Sequence, residues 1–520
     1  MYKGKKTLSS LLAHQAEAFP NKVLFYFHGE SYTYGRVNEE AAHVAAALKK
    51  LGISKGDRVI IGMTNSPEEL IAFAAVARAG AIYIPTHAKF QTREIAYYLK
   101  DSEARAVIGT QEFIHKVEEC RGESDKLHLL IQVDGNAEGA IYSWASLTKE
   151  PDTWDAGSSP DDPLAIYYTS GTTGKPKGAI LLNGRFLNNS LRLGSSLHYT
   201  EKEVTVNTLP YTHVFAPIVE WIPMMFYGSH FVLRDAFHPR SVLEEMNKYR
   251  ATFIAGVPAM FMAMLEEIKR APDKYDFTEL RFAFVGAAPM PLQLQTELEN
   301  IMGAPFIQGS GQTESGPLLT LEPLERTEGI HPGTCGTTKI YEDIKTRIID
   351  QDGYDVPLGD IGELIVQSPD IMAGYWRRPE ETRRTIVDGW LHTGDLARED
   401  EDGYFYLVDR KKDMIITRGQ NVYPVEIENI IYNLTEVKEV AVIGLPDSIR
   451  EESVEAFIVL KEGRTLTEKQ VKDCCRDKLT DYKRPRHVHF VDGFPKTVSG
   501  KIRKAQFKKQ LLEKLNRKLR

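Results

Sequence analysis

Residues 58–86 read RVIIGMTNSPEELIAFAAVARAGAIYIPT. The two ends, RVIIGM and AIYIPT, are short continuous apolar runs, the pattern of strands covered on both faces. Between them Ser66 is placed to cap a helix, Pro67 suits its first turn, Glu69 completes a capping box and Gly80 ends it. Strand, helix, strand predicts two parallel neighbours joined by a crossover helix. The same alternation recurs outward: EIAYYLKDSEA precedes RAVIGT, and SVLEEMNKYRA precedes TFIAGV, with LRFAFVGA beyond. Upstream, KVLFYFHGESYTY predicts a hairpin turning at His28-Gly29-Glu30.

After about residue 330 the texture changes to short strands and turns, as in KTRIIDQDGYDVPLGDIGELIVQS, with Asp352-Gly353 and Leu358-Gly359-Asp360 as turn chemistry. Then YPVEIENIIYNL reads as a helix, EVAVIGLPD and EAFIVL as strands, and a Lys/Arg-rich tail follows. The expected fold class is α/β: a large N-terminal domain, 1–409, of parallel-rich sheets covered by helices, with a small β subdomain over about 330–409. A mobile C-terminal α+β domain follows over 410–520.

Composition narrows the function. The chain has 520 residues, 42% hydrophobic and 26% charged, with a net charge of −7, so no global basic field points to nucleic acid. Its four cysteines, Cys120, Cys335, Cys474 and Cys475, lack the C-x-x-C spacing of a zinc or redox site and suit a reducing, cytoplasmic setting. The opening MYKGKKTLSSLLAHQAEAFP is too interrupted for a signal core, and no run reaches the roughly 18 apolar residues of a membrane span.

The chemistry announces itself in YYTSGTTGKPKG, Tyr167–Gly178. Glycines that tolerate positive φ, the hydroxyls of Ser170, Thr172 and Thr173, and the ammonium groups of Lys175 and Lys177 are what anionic oxygens require. The P-loop pattern fails: Gly174 follows Gly171 too soon, and Gly178 stands where a magnesium-binding hydroxyl should follow the lysine. The whole string instead resembles the signature of the adenylate-forming superfamily, which contains acyl-CoA synthetases, adenylation domains of peptide synthetases and luciferases.

That resemblance implies further motifs in a set order, and they are present. VGAAP (Gly286, Ala287, Ala288 and Pro289 after Val285) resembles the adenine-side loop. QGSGQTE, comprising Gln308, Gly309, Ser310, Gly311, Gln312, Thr313 and Glu314, resembles the GYGxTE motif. There the resemblance implies that Thr313 meets the α-phosphate and that Glu314, with the Thr169 hydroxyl, holds Mg²⁺. WLHTGDL supplies Asp395 for the ribose hydroxyls, and VDRKKDMIITRGQN supplies Arg410 for the same ribose and Lys412 as hinge. PKTVSGKIRK supplies Lys501, a cation for the substrate carboxylate and α-phosphate. The loop Thr169, Ser170, Gly171, Thr172, Thr173, Gly174, Lys175, Lys177 would hold the β- and γ-phosphates of ATP.

A carboxylate is a poor acyl donor, and the resemblance implies that its oxygen attacks the α-phosphorus, releasing pyrophosphate and leaving an acyl adenylate; a thiol, CoA by resemblance, then displaces AMP. Family members rotate the small domain between these steps, withdrawing Lys501 and bringing Gly419 toward the pantetheine arm. Departures from the family pattern are Ser310, where an aromatic usually stacks on adenine, Arg418, where a glycine is usual, and Asn183, where a histidine often stands.

LPYTHVFAP, Leu209–Pro217, resembles the border of the acyl pocket, with His213 steering the carboxylate; a packed core histidine is the alternative. The segment has no Asp for an ammonium group, and FIAGVPAMFMAML is apolar, which favours a hydrophobic acid, a medium- or long-chain fatty acid, over an amino acid. An aryl acid–CoA ligase, a stand-alone enzyme loading a carrier protein and a non-catalytic nucleotide sensor are the alternatives. The basic tail carries Phe507, Leu511, Leu515 and Leu519 as one helical stripe. It is read as packed on the small domain, with a weak peripheral grip on anionic membrane as the alternative; a homodimer stays open.

Overall fold

A computed structural model describes residues 6–169, 175–288, 290–326, 331–417, 420–447, 450–476, 478–496 and 502–518. The chain divides into two compact units: Met1–Thr169, Lys177–Lys345 and Val366–Leu391 form one, and Ser170–Pro176, Thr346–Ile365 and His392–Arg520 the other.

Residues 58–86 fold as expected in outline. Strand Arg58–Met63 pairs in parallel with Ile82–His87, and helix Pro67–Arg78 crosses between them. The Ser66 side chain accepts the Glu69 amide at 3.2 Å, and Gly80 takes φ +69° just past the helix end. Nearly every residue of this helix is buried, so it is apolar all round rather than amphipathic. Glu69 departs from the capping box: its carboxylate turns inward and accepts the Tyr83 hydroxyl at 2.6 Å. Burial pushes this carboxyl up to about 8, against the lowering effect of that hydrogen bond.

Among the described residues the first unit is built on three sheets. The largest has eight strands in the order Gly374–Tyr375, Lys177–Leu182, Pro163–Thr169, Ile82–His87, Arg58–Met63, Ala106–Gly109, Leu129–Gln132 and Tyr142–Ser143. Pro163–Thr169 and Lys177–Leu182 are antiparallel, with Thr169 opposite Lys177, so both stand where the glycine-rich connection leaves the sheet. A second sheet aligns Phe253–Gly256, Phe282–Val285 and Phe306–Ser310 in parallel and adds Thr320–Leu321 antiparallel. The predicted hairpin lies in the third, where Val23–Phe27 and Glu30–Thr33 are joined through His28 and Gly29, both at positive φ as a type I′ turn requires.

In the second unit Asp395 on strand Trp390–Glu399 lies opposite Arg410 on Phe405–Arg410. Beyond them Gln420–Val422, Ile415–Thr417, Glu451–Leu460 and Val437–Asp447 form a sheet, with His487–Phe490 parallel to Glu451–Leu460. Helices Pro424–Tyr432 and Glu468–Arg476 supply Ile427, Ile431, Val471 and Cys475 to its core. The tail forms helix Lys504–Lys518, and Phe507 packs edge-on against Phe457 and Phe494, as the stripe predicts at that position. Among the described residues no helix is long and apolar enough to cross a membrane.

Candidate active site

Strand Pro163–Thr169 delivers Thr169, and a one-turn helix, Thr313–Ser315, follows strand Phe306–Ser310 to deliver Glu314. The two meet: Thr169 Oγ1 donates to Glu314 Oε1 at 2.8 Å. The Tyr375 hydroxyl donates to the same oxygen at 2.9 Å, and the Glu314 carbonyl accepts the Met372 amide at 2.9 Å. Lys177 Nζ lies 4.5 Å from the Tyr375 ring centroid. A carboxylate and a threonine hydroxyl side by side are hard oxygen donors, the set Mg²⁺ prefers, so these residues fit the ion that the resemblance implies. Ser170, Gly171, Thr172, Thr173 and Gly174 lie outside the described residues; Lys175 is exposed.

The nucleotide-side motifs divide by what their side chains do. Gln308 is buried and engaged locally: its Oε1 accepts the Met290 amide at 2.9 Å, its Nε2 reaches Gln295 Oε1 at 3.4 Å, and its amide donates to Glu322 Oε2 at 2.8 Å. Its side chain thus ties Met290 to the strand Phe306–Ser310. Burial pushes the Glu322 carboxyl up to about 7 despite the Gln308 amide. Gly311 permits a close approach, since a Cβ there would stand 2.0 Å from the Pro317 carbonyl oxygen. At Gly286 and Gly309 a Cβ would meet the Phe215 and Phe284 rings, both at 2.8 Å. Ala287 is exposed and takes φ +66°, a left-handed conformation that costs a non-glycine residue of order 1 kcal/mol and recurs at ligand-binding loops. Ala288 is likewise exposed; Pro289 lies outside the described residues. Ser310 is half-buried at the strand end, where its carbonyl accepts the Leu319 amide at 2.8 Å. Gln312 and Thr313 begin the turn that carries Glu314, the Gln312 amide donating to Ser315 Oγ at 3.0 Å.

His213 is exposed, with its Nδ1 accepting the Phe215 amide at 3.3 Å, so the packed core alternative does not hold. The chain then enters a π-helical turn, Pro217–Trp221. Glu220 within it is fully buried, and neither carboxylate oxygen has a hydrogen-bond partner among the described residues. Burial pushes that carboxyl well above the ordinary range. Asn183, in the usual histidine position, is spent on the main chain, bonding the Leu8 amide and the Asp162 carbonyl.

In the second unit Arg410 Nε stands 2.7 Å from Asp395 Oδ1, so the two groups expected on the ribose are paired with each other. Lys412 is exposed in a turn in which the Asp413 and Met414 amides both donate to the Arg410 carbonyl. Gly419 and Lys501 lie outside the described residues. The flanks of the lysine segment are held together: Lys496 bridges Ile502, the Arg503 amide donates to the Pro495 carbonyl at 2.8 Å, and Lys504 Nζ reaches Glu428 Oε1 at 2.7 Å.

Tyr375 and Glu220 escape a reading of the sequence. Tyr375, in MAGYWRRP, has the composition of any strand aromatic, and Glu220 sits in an apolar run with no spacing to mark it.

The described architecture agrees with known proteins across its length. The AMP-binding enzyme model matches residues 12–376, and the AMP-binding enzyme C-terminal domain matches residues 426–501. A feruloyl-CoA synthase of Amycolatopsis sp is 33% identical over 97% of this chain and 99% of its own. A long-chain-fatty-acid–CoA ligase of Bacillus subtilis (strain 168) is 29% identical over 98% and 94%. Among solved structures, an anthranilate CoA ligase in complex with anthranoyl-AMP superposes with a TM-score of 0.87 at 27% identity, covering 97% of both chains. Motifs, sheets and relatives converge: the chain belongs to the AMP-binding enzyme family of the adenylate-forming superfamily, and it is an AMP-forming acid–CoA ligase acting on a small-molecule carboxylic acid with ATP, Mg²⁺ and CoA.

Proposed function

We propose that this ligase activates a neutral, hydrophobic acid, a medium- or long-chain fatty acid, as its acyl adenylate and passes the acyl group to CoA. The observation that carries the reading is the aromatic pair beside the nucleotide motifs. Phe215 and Phe284 lie with ring centroids 5.6 Å apart and abut Gly286 and Gly309, and no acid stands in 209–217 to meet an ammonium group. An aryl acid is the second reading, favoured by the feruloyl-CoA synthase among the relatives.

The substrate carboxylate oxygen attacks the α-phosphorus, the bond to the β-phosphate bridging oxygen breaks, and pyrophosphate leaves. Lys177 and Thr172 hold the β- and γ-phosphates, Thr313 meets the α-phosphate, and Lys501 supplies a cation to the two anions that must approach. A fixed cation there lowers the barrier where negative charge crowds. His213 steers the carboxylate. Glu314 and Thr169 would hold Mg²⁺, which when bound would supply neutralising charge for the pyrophosphate. In the second step the CoA thiol, having lost its proton to solvent, bonds as thiolate to the carbonyl carbon, AMP departs with the electron pair, and Gly419 admits the pantetheine arm.

The same reading takes 1–409 as the adenylation core, with its β subdomain at about 330–409, and 410–520 as a domain turning at Lys412. Asp395 and Arg410 exchange their mutual pairing for the ribose hydroxyls. Its co-substrates and free thiols suit the cytoplasm. A homodimer and a weak peripheral grip of the basic tail on anionic membrane complete the proposal. Pyrophosphate release measured over acids of graded chain length, aryl acids and amino acids, with and without CoA, tests the substrate. Selection of an amino acid would overturn the reading.

A further inference from the structure

Tyr375 touches both charged parts of the site. It belongs to strand Gly374–Tyr375, where it lies opposite Ala179 on Lys177–Leu182. Its amide donates to Thr382 Oγ1 at 2.9 Å, and the next amide, of Trp376, donates to the Gly178 carbonyl at 2.7 Å. Gly374 takes φ +144°, and a Cβ there would stand 2.8 Å from Thr382 Cγ2, so only glycine lets the chain approach this closely. The main chain is thus held on both sides, and the buried ring has little freedom to move.

From that position the hydroxyl and the ring act on different partners. The hydroxyl shares Glu314 Oε1 with Thr169, at 2.9 and 2.8 Å. Two donors on one oxygen fix the rotation of the carboxylate and leave Oε2, which accepts no hydrogen bond among the described residues, as the oxygen presented to a cation. Outer groups that orient a ligand in this way typically govern metal affinity by about 10- to 100-fold. The ring face meanwhile attracts the Lys177 ammonium, 4.5 Å from the centroid, and among the described residues Lys177 forms no ion pair. A lysine that closed on Glu314 would neutralise the carboxylate a metal needs and would be lost to the phosphates. An aromatic face holds the ammonium nearby without that neutralisation.

We propose that Tyr375 is a positioning residue for adenylation: its hydroxyl aims Glu314 at the divalent cation, and its ring keeps the Lys177 ammonium off that carboxylate and available to phosphate. The proposal rests on reading Glu314 as the magnesium carboxylate.

The test is binding of Mn²⁺, as a spectroscopic stand-in for Mg²⁺, to the full chain with α,β-methylene-ATP, followed by electron paramagnetic resonance. Tyr375→Phe, which keeps the ring, should raise the Mn²⁺ Kd about 10-fold while metal-free nucleotide binding stays within about twofold of the parent. Tyr375→Leu, which removes ring and hydroxyl, should weaken metal-free nucleotide binding as well, because Lys177 is released. Thr169→Val removes the other donor to the same oxygen together with a hydroxyl read as a Mg²⁺ ligand, and so should itself raise the Mn²⁺ Kd; combined with Tyr375→Phe it should cost more than either alone. An unchanged Mn²⁺ Kd in Tyr375→Phe overturns the proposal, as does an equal loss of metal-bound and metal-free nucleotide in that variant. Should Tyr375→Phe melt below the assay temperature, Tyr375→Leu and the incorporation of difluorotyrosine at 375 carry the comparison; no shift of the Mn²⁺ Kd in either then overturns it. Failure of the parent enzyme to release pyrophosphate with any acid would instead strike the proposed function, and the Mn²⁺ comparison separates the two.

Discussion

Glu69 makes a contribution to stability that falls as pH rises, and replacing it with glutamine should reverse the order of variant and parent across the pH range. The carboxyl is fully buried, accepts one hydrogen bond from Tyr83 at 2.6 Å, and is pushed up to about 8 from an ordinary 4.5. Between those values the folded chain keeps a proton that the unfolded chain has released, so unfolding is favoured increasingly from about pH 4.5 and the loss levels off above about pH 8. At 1.36 kcal/mol per pKa unit, the folded state is weakened by about 3 kcal/mol at pH 7 and by about 5 kcal/mol above pH 8.5. Glu69→Gln leaves an acceptor for Tyr83 and cannot ionise, but it buries an amide N–H₂ without a partner, at about 1–3 kcal/mol. The variant should therefore melt below the parent at pH 5 and above it at pH 8.5, by the equivalent of about 2 kcal/mol. Scanning calorimetry at several pH values, read as variant minus parent, cancels every other titrating group. Melting temperatures that run parallel across the range would refute the reasoning.

Other expectations are more direct. Glu314→Gln should lower acid-dependent pyrophosphate release by about 10²–10³-fold, the scale of losing one pre-organised charge-stabilising group. Lys501→Ala should abolish adenylation while ATP still binds in a filter assay; unchanged adenylation would remove that lysine from the mechanism. Lys504→Met leaves Glu428 without its 2.7 Å partner and should cost about 3–5 kcal/mol in denaturant unfolding, whereas Lys504→Glu with Glu428→Lys recovers part of it. Glu220→Met replaces an unpartnered buried carboxyl by a side chain of similar length and should raise the melting temperature at pH 8.

Local pattern and motif carried a large part of this protein. Short apolar runs alternating with capped helices are set by interactions a few residues apart, and residues 58–86 fold accordingly, down to the Ser66 cap. The hairpin at His28-Gly29 was legible for the same reason: a two-residue turn with positive φ leaves a compositional trace. The ordered motifs also sufficed for the reaction class, because phosphate and ribose recognition needs particular donors at close spacing.

Partner choice inside the site was not legible. Glu69 reads as half of a capping box, yet Tyr83 on the neighbouring strand wins it because the helix is buried on every side. Gln308 reads as a nucleotide contact, yet its side chain is spent on the Met290 amide and Gln295. Tyr375 reaches Glu314 from 61 residues away because a two-residue strand adds to the edge of the sheet beside Lys177. Sequence determined the alternation, the turns and the chemistry of the motifs, all short-range matters of dihedral preference and residue type. Only the tertiary structure decided which hydroxyl aims which carboxylate, because sheet order brings together residues whose separation along the chain leaves no local signal.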